Sequence, residues 1–437
     1  MKKVPVRVLL GYAAPSLPLA AMYFPVYVFL AAFYAEDHGF SLGFIGAVFI
    51  AVRIFDALTD PLMGVLSDRI RTRWGRRRIW LVIGCPLVMG SVWFLFVPPQ
   101  GVSSAWFVGF LFLLTLGWTV MLTPYFAWGA ELSGVYAERA RVTLWRDSIG
   151  LVGTILAAIL YNAGGEAAAG MMLVAAFIVL VLPSAVGFCL WRVPEPYDFS
   201  HSTDRPGSVL AVLREQPLFL RLLLAYFING ASNALPATLF LFFVSYRLEA
   251  PDQGGILLVL YFGAAVLAAP LWGVALRRVS KHRLWCLAMM YASCVFLTAL
   301  TLGPGDVAAF AVICVLSGAA LGADLALPSA IQADLVDLDT DRSGRQRTGA
   351  FFALWSLATK FALALAGGAA LILLDLAGFV ADAVDPGGPW GVTVLVWLYA
   401  AAPVALKASA VAMMWRFPLD ATRQAEVRAR IERTHVT

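Results

Sequence analysis

Twelve apolar blocks, each about as long as the ~20 residues a spanning helix needs, divide this chain at roughly 8–34, 40–67, 79–98, 104–133, 142–165, 168–192, 218–246, 253–276, 284–303, 306–333, 346–375 and 390–415. A lipid interior offers peptide groups no hydrogen-bond partner, so blocks of this length close their bonds internally as α-helices. The spacing predicts an all-α polytopic membrane protein with twelve transmembrane helices. Blocks longer than the bilayer requires imply tilt and helix ends in water.

The cations fall on alternate loops, which sets the orientation. Lys2, Lys3 and Arg7 precede the first block, Arg69 to Arg78 follow the second, and Arg139, Arg141 and Arg146 follow the fourth. Arg277 to Arg283, Arg342 to Arg347 and the tail from Arg416 continue the series, and the intervening loops are short and poor in cations. Both termini are expected in the cytoplasm. This topology accounts for the net charge of +5, so no nucleic-acid partner is implied. The basic start followed by about 27 apolar residues is too long for a cleaved signal and reads as the first span. The five cysteines lie in apolar blocks without a CxxC pair, as small hydrophobes do.

Residues 194–217 form the longest polar stretch inside the chain and read as a linker. It separates an N-terminal six-helix bundle, 1–193, from a C-terminal one, 218–417, followed by a tail, 418–437. Within the linker, Ser208 to Arg214 is expected as a short surface helix. Asp60-Pro61-Leu62-Met63-Gly64-Val65 is echoed by Ala269-Pro270-Leu271-Trp272-Gly273-Val274, each near the cytoplasmic end of its half's second span. The halves share a backbone plan, and only one carries the acids. Repeats of this kind mark transporters whose halves rock about a central site.

An acid inside hydrocarbon costs about 3 kcal/mol on insertion scales, which makes Asp56 and Asp60 the first candidates for function. With Arg53 they occupy one helical stripe at i, i+3 and i+7, Thr59 beside them. Arg53 and Asp56 neutralising one another is the plain alternative, and it leaves Asp60 unexplained. The fourth block adds Trp118, Thr119, Thr123, Trp128 and Glu131; its threonines supply hydroxyls to a hard cation or bond their own backbone. Glu131 is expected to pair with Arg139 or Arg146, or to act in gating. In the second half stand Asn229, Ser232 and Asn233, then Asp324 and Gln332, then Lys360 with Trp355 near it as a candidate wall of the site. A mid-span lysine needs a carboxylate or an anionic solute, and Asp324 is the plain structural partner. All four histidines, His38, His201, His282 and His435, read as loop or tail residues, and no phosphate-cradling GxxxxGK[ST] loop is present. Neither catalysis nor nucleotide-driven pumping is expected.

The run Arg53-Ile54-Phe55-Asp56-Ala57-Leu58-Thr59-Asp60-Pro61, continued through Gly64, Asp68, Arg69, Arg73, Trp74, Gly75, Arg76 and Arg78, resembles the second-span signature of the glycoside-pentoside-hexuronide:cation symporters. These are the melibiose permease group of the major facilitator superfamily. Pro124 with Glu131 and Arg146, the pair Asp334 and Asp337, and Lys360 extend the resemblance along both halves. It implies twelve helices in two bundles, coupling to Na+ or H+, Asp56 and Asp60 as cation-binding acids, and Thr119 in the cation site. Thr59 replaces an asparagine often found there. The galactoside-gripping aspartates of the first and fourth spans are replaced by about Ala20 and Leu122, so a melibiose-type galactoside is not expected. The vertebrate lysophosphatidylcholine symporter is similar in the second-span acids and eleventh-span lysine, which keeps an amphiphilic solute open.

The expectation is a cation-coupled secondary symporter of a small organic solute such as a glycoside or other sugar derivative, with a lysolipid as the alternative. The coupling ion, Na+ or H+, is the one bound accessory; no cofactor and no other metal are called for. Asp56, Asp60, Thr59 and Thr119 are assigned to the cation. Lys360, Arg53, Arg146, Trp128, Asn229, Asn233, Asp324 and Trp355 are assigned to solute and coupling, and Asp68, Arg69, Gly75, Arg76, Glu131, Asp334 and Asp337 to gating. The chain is expected to be a monomer among lipids of a bacterial inner membrane.

Overall fold

The computed structural model describes residues 4–70, 72–132, 136–195, 213–276, 278–343, 348–381 and 388–419. Twelve helices among them are long and apolar enough to cross a membrane. Prolines lie within nine of these spans without ending them, because the carbonyl a proline leaves unbonded can be served inside a helical bundle. The first span is the most broken, running as Val6–Ala13, Ser16–Val28 and Leu30–Glu36. Serines begin others: Ser41 accepts from the Phe44 N–H at 3.2 Å and Ser103 from the Trp106 N–H at 3.3 Å, each satisfying a donor the helix start leaves open. The tenth helix, Val307–Ser343, has 37 residues and extends about 55 Å, well past the apolar block that predicts it. Of the expected surface helix in the linker, only 213 and 214 are described, and both are helical; the tail beyond 419 lies outside the described residues.

The chain folds as two compact units, one built on the first six spans and one on the last six. In the first unit, span one packs on five and six, three on four and six, and two on four; in the second, seven packs on eleven and twelve, and nine on ten and twelve. The shared pairings, one–five with seven–eleven and three–four with nine–ten, extend the short sequence echo to a repeated packing scheme. Close approach fixes one of them. A Cβ on Gly153 of the fifth span would stand 2.1 Å from the Leu17 carbonyl oxygen of the first. Tyr12 and Tyr125 tie span one to span four, their rings stacked at 4.7 Å and each hydroxyl donating to the other residue's carbonyl oxygen. Outward-facing leucines such as Leu180, Leu267 and Leu271 are largely exposed, as an acyl-chain solvent allows.

Candidate functional site

Three groups of polar side chains stand out, two in the first unit and one in the second. The first lies on the seam between the second span, Leu42–Arg69, and the fourth, Ser104–Glu131. Asp56 is fully buried; its Oδ2 accepts from Arg53 Nη1 at 3.2 Å and its Oδ1 from Thr119 Oγ1 at 2.8 Å. One turn on, Asp60 Oδ1 lies 3.5 Å from the Thr123 hydroxyl. Carboxylate and threonine thus recur at i, i+4 on both helices, giving a ladder of hard oxygen atoms suited to a small cation or a proton. The Arg53 guanidinium lies over the Tyr27 ring, 4.7 Å from its centroid, and Tyr23, 6.0 Å away, stacks on Trp118. Thr59, also assigned to the cation, donates its hydroxyl to the Phe55 carbonyl at 3.0 Å and the Asp56 carbonyl at 3.3 Å of its own helix.

The second group closes the other end of these helices. Arg76 Nη2 and Arg77 Nη2 reach Glu131 Oε1 at 2.7 and 2.6 Å, and Arg77 Nη1 donates to Ser67 Oγ at 2.8 Å. Glu131 therefore pairs with the loop after the second span rather than with Arg146, and the side chain of Arg139, the other expected partner, lies outside the described residues. Helix direction explains the correction, since the end of the fourth span meets the start of the antiparallel third. Arg146 bonds its neighbour Asp147 at 2.8 Å and lies over Phe126. Gly75 has φ +109°, and the N–H groups of Arg76 and Arg77 both point at Glu195 Oε1, at 2.5 and 2.9 Å. The positive φ favours glycine, and a Cβ there would also stand 2.4 Å from the Glu195 carboxyl carbon, so a larger residue would push that carboxylate aside. Gly75→Ala is expected to disrupt this cradle and cost about 1–3 kcal/mol, read as a lowered melting temperature of the purified protein. An unchanged value would show that Glu195 moves aside freely. Trp128, expected near the solute, is fully buried here, donating to the Pro194 carbonyl at 3.0 Å beside Arg78. Arg69 is exposed at the helix end, and Asp68 closes the same turn of backbone.

The third group centres on a residue the block pattern did not single out. Lys407, in the twelfth span, is 4% exposed and donates to Asn229 Oδ1 at 2.8 Å, Asn233 Oδ1 at 2.7 Å and Asp324 Oδ2 at 3.3 Å. Asp324 also accepts from Asn233 Nδ2 at 3.1 Å and from Trp285 Nε1 at 2.8 Å. The expected structural pair of Asp324 with Lys360 is thus replaced by a pair with Lys407. A lone cation in an otherwise apolar block was the available signal, the same one that marks Lys360. Lys360 is half-buried on the eleventh span, Thr348–Leu376. Trp355 stacks on Tyr226 with ring centroids 3.8 Å apart and belongs to the buried core of the unit. At the far end Lys281 Nζ contacts both Asp334 oxygens, at 2.7 and 2.6 Å, repeating in the second unit the Glu131 closure of the first. Asp337 is half-buried one turn on, and His282, read as a loop residue, is buried at the start of the ninth span.

A family model described as MFS/sugar transport protein matches residues 11–421. The chain belongs to that family. YagG of Escherichia coli (strain K12), provisionally named a glycoside/cation symporter, is 26% identical over 433 residues, covering 95% of this chain and 92% of the relative. The mouse sphingosine-1-phosphate transporter MFSD2B is 25% identical over 392 residues, covering 81% of this chain and 78% of its own length. Among solved structures, the nucleoside transporter NupG superposes with a TM-score of 0.68 at 14% identity, over 93% of this chain and 98% of that one. The fold is therefore the two-bundle major facilitator fold, and this MFS/sugar transport family member is an integral membrane transporter rather than an enzyme.

Proposed function

We propose that this protein is a cation-coupled symporter of a small organic solute, with Asp56 and Asp60 holding Na+ or H+ and Thr119 and Thr123 lending oxygen atoms. One observation carries the reading: a fully buried carboxylate in a membrane span, on a stripe with two acids to one arginine. Burying such a group is costly, and a cation that arrives with the solute offsets the cost only while bound, which links the two occupancies. YagG's name favours a glycoside or related sugar derivative, and Ala20 and Leu122 argue against melibiose-type galactosides. The likeness to MFSD2B favours a lysolipid or amphiphile as the second reading. The alternating arginines support cytoplasmic termini, and a monomer in a bacterial inner membrane belongs to the same reading.

The test is uptake by proteoliposomes of labelled methyl glycosides, methyl glucuronide and lysophosphatidylcholine under imposed Na+ and pH gradients. Concentrative uptake of one of them that collapses with one gradient identifies both ion and solute. Equal uptake with no gradient across the membrane would remove the symport reading and leave a facilitator.

A further inference from the structure

The Lys407 cluster is more than an ion pair placed between helices. Lys407, Asn229, Asn233 and Asp324 come from the seventh, tenth and twelfth spans, and each of these helices is irregular beside its polar residue. Pro236 follows Asn233 by three positions and leaves the Ser232 carbonyl without its helical donor. Pro328 follows Asp324 by four and does the same to the carbonyl of Asp324 itself. The twelfth span passes through a π-helical stretch, Trp397–Ala401, and Pro403 stands four residues before Lys407. A hydrophobic replacement of a buried pair is often no less stable, so stability alone does not call for this cluster. Interrupted helices that converge on buried polar groups are how transporters build binding sites in the membrane.

We propose that Lys407, Asp324, Asn229 and Asn233 form a solute-binding site inside the second unit, which takes a neutral hydroxyl-bearing ring while the Lys407–Asp324 pair parts to admit it. The chemistry selects the class. The pair is neutral as a whole, and a hydroxyl both accepts from an ammonium or amide and donates to a carboxylate, so vicinal hydroxyls replace the lost contacts in kind. An anionic solute would take Lys407 and strand Asp324 as a buried charge; a cationic one would strand Lys407. Specificity therefore arises from the charges that a wrong ligand leaves uncompensated. This site rests on the solute-symport reading above and names its ligand class.

The experiment follows the melting temperature of the purified full chain with methyl β-xyloside, methyl β-glucoside, methyl β-glucuronide or lysophosphatidylcholine, and separately with Na+ or a pH step, since ligands of the folded state raise its stability. Neutral methyl glycosides are expected to stabilise the wild type. The double variant Lys407→Met/Asp324→Asn is expected to melt like the wild type and keep the ion-induced shift, yet lose the glycoside shift. Asn229→Ala, which keeps the pair, is expected to weaken glycoside binding about tenfold. Wild-type glycoside affinity in the double variant or in Asn229→Ala reduces the cluster to a staple. Stabilisation of the wild type by glucuronide or lysophosphatidylcholine alone, or by none of the four probes, overturns the neutral class. All of these results leave symport standing while the ion-induced shift persists, and loss of that shift in the wild type removes symport instead.

Discussion

Asp56→Asn is expected to abolish ion-driven accumulation, lowering the ion dependence of solute affinity about a hundredfold while the protein still folds. The reason lies in what asparagine keeps. Its amide oxygen can still accept from Thr119, which now bonds Asp56 Oδ1 at 2.8 Å, and the side chain has the same size. What disappears is the negative charge and the partner of Arg53 Nη1, 3.2 Å away. Arg53 retains the face of Tyr27 at 4.7 Å, a contact worth about 0.5–2 kcal/mol, so the loss in stability stays near 1–3 kcal/mol. The measurements are the melting temperature and the solute affinity with and without the ion in the same preparation. Uphill uptake retained in this variant would leave Asp56 as the counter-charge of Arg53 and nothing more.

The acids of the second span were legible because hydrocarbon makes any charge conspicuous. A carboxylate in a block of membrane length is costly, so the stripe Arg53, Asp56, Asp60 stands out from the sequence alone. The threonine partners were legible only as candidates, since period alone cannot say which helix faces which. The structure adds that second and fourth spans run in register, offset by 63 residues at both Asp56–Thr119 and Asp60–Thr123.

Pairings across distant spans stayed hidden for the same physical reason. Nearness in sequence suggested Arg139 or Arg146 for Glu131, whereas the antiparallel turn of the chain brings Arg76 and Arg77 to it from 55 and 54 positions away. Glu195 lay unremarked among the polar residues after the sixth span because solvated loops carry acids at no cost. Its meaning comes from the backbone N–H groups of Arg76 and Arg77, aimed at it by a glycine with positive φ. Lys407 is the opposite case. Its burial was as readable as that of Lys360, but which lysine meets Asp324 depends on which spans touch, and no periodicity carries that information.

The second large effect is expected at the closure of the first unit. Arg77 is 4% exposed and is held by Glu131 on one side and Ser67 on the other. Glu131→Ala removes the carboxylate shared by Arg76 and Arg77 and leaves two guanidinium groups crowded together, one of them buried. Removing one partner of a buried pair typically costs about 3–5 kcal/mol, and because Glu131 is itself 26% exposed the expected loss sits near the lower end. Part of that loss need not unfold the protein. If this closure belongs to one state of the transport cycle, the variant shifts the balance toward states in which the loop is released, and this end of the unit becomes accessible. Cysteine labelling at Thr72→Cys, on the loop itself, separates the two outcomes. Faster labelling with the melting temperature little changed indicates release of a gate, and a lower melting temperature with labelling unchanged indicates a structural pair. Arg77→Met added to Glu131→Ala then discriminates further: it removes the buried guanidinium that has lost this carboxylate, so it is expected to restore stability without restoring the closed loop, and recovery of slow labelling would show that Arg76 and Glu195 suffice to hold it.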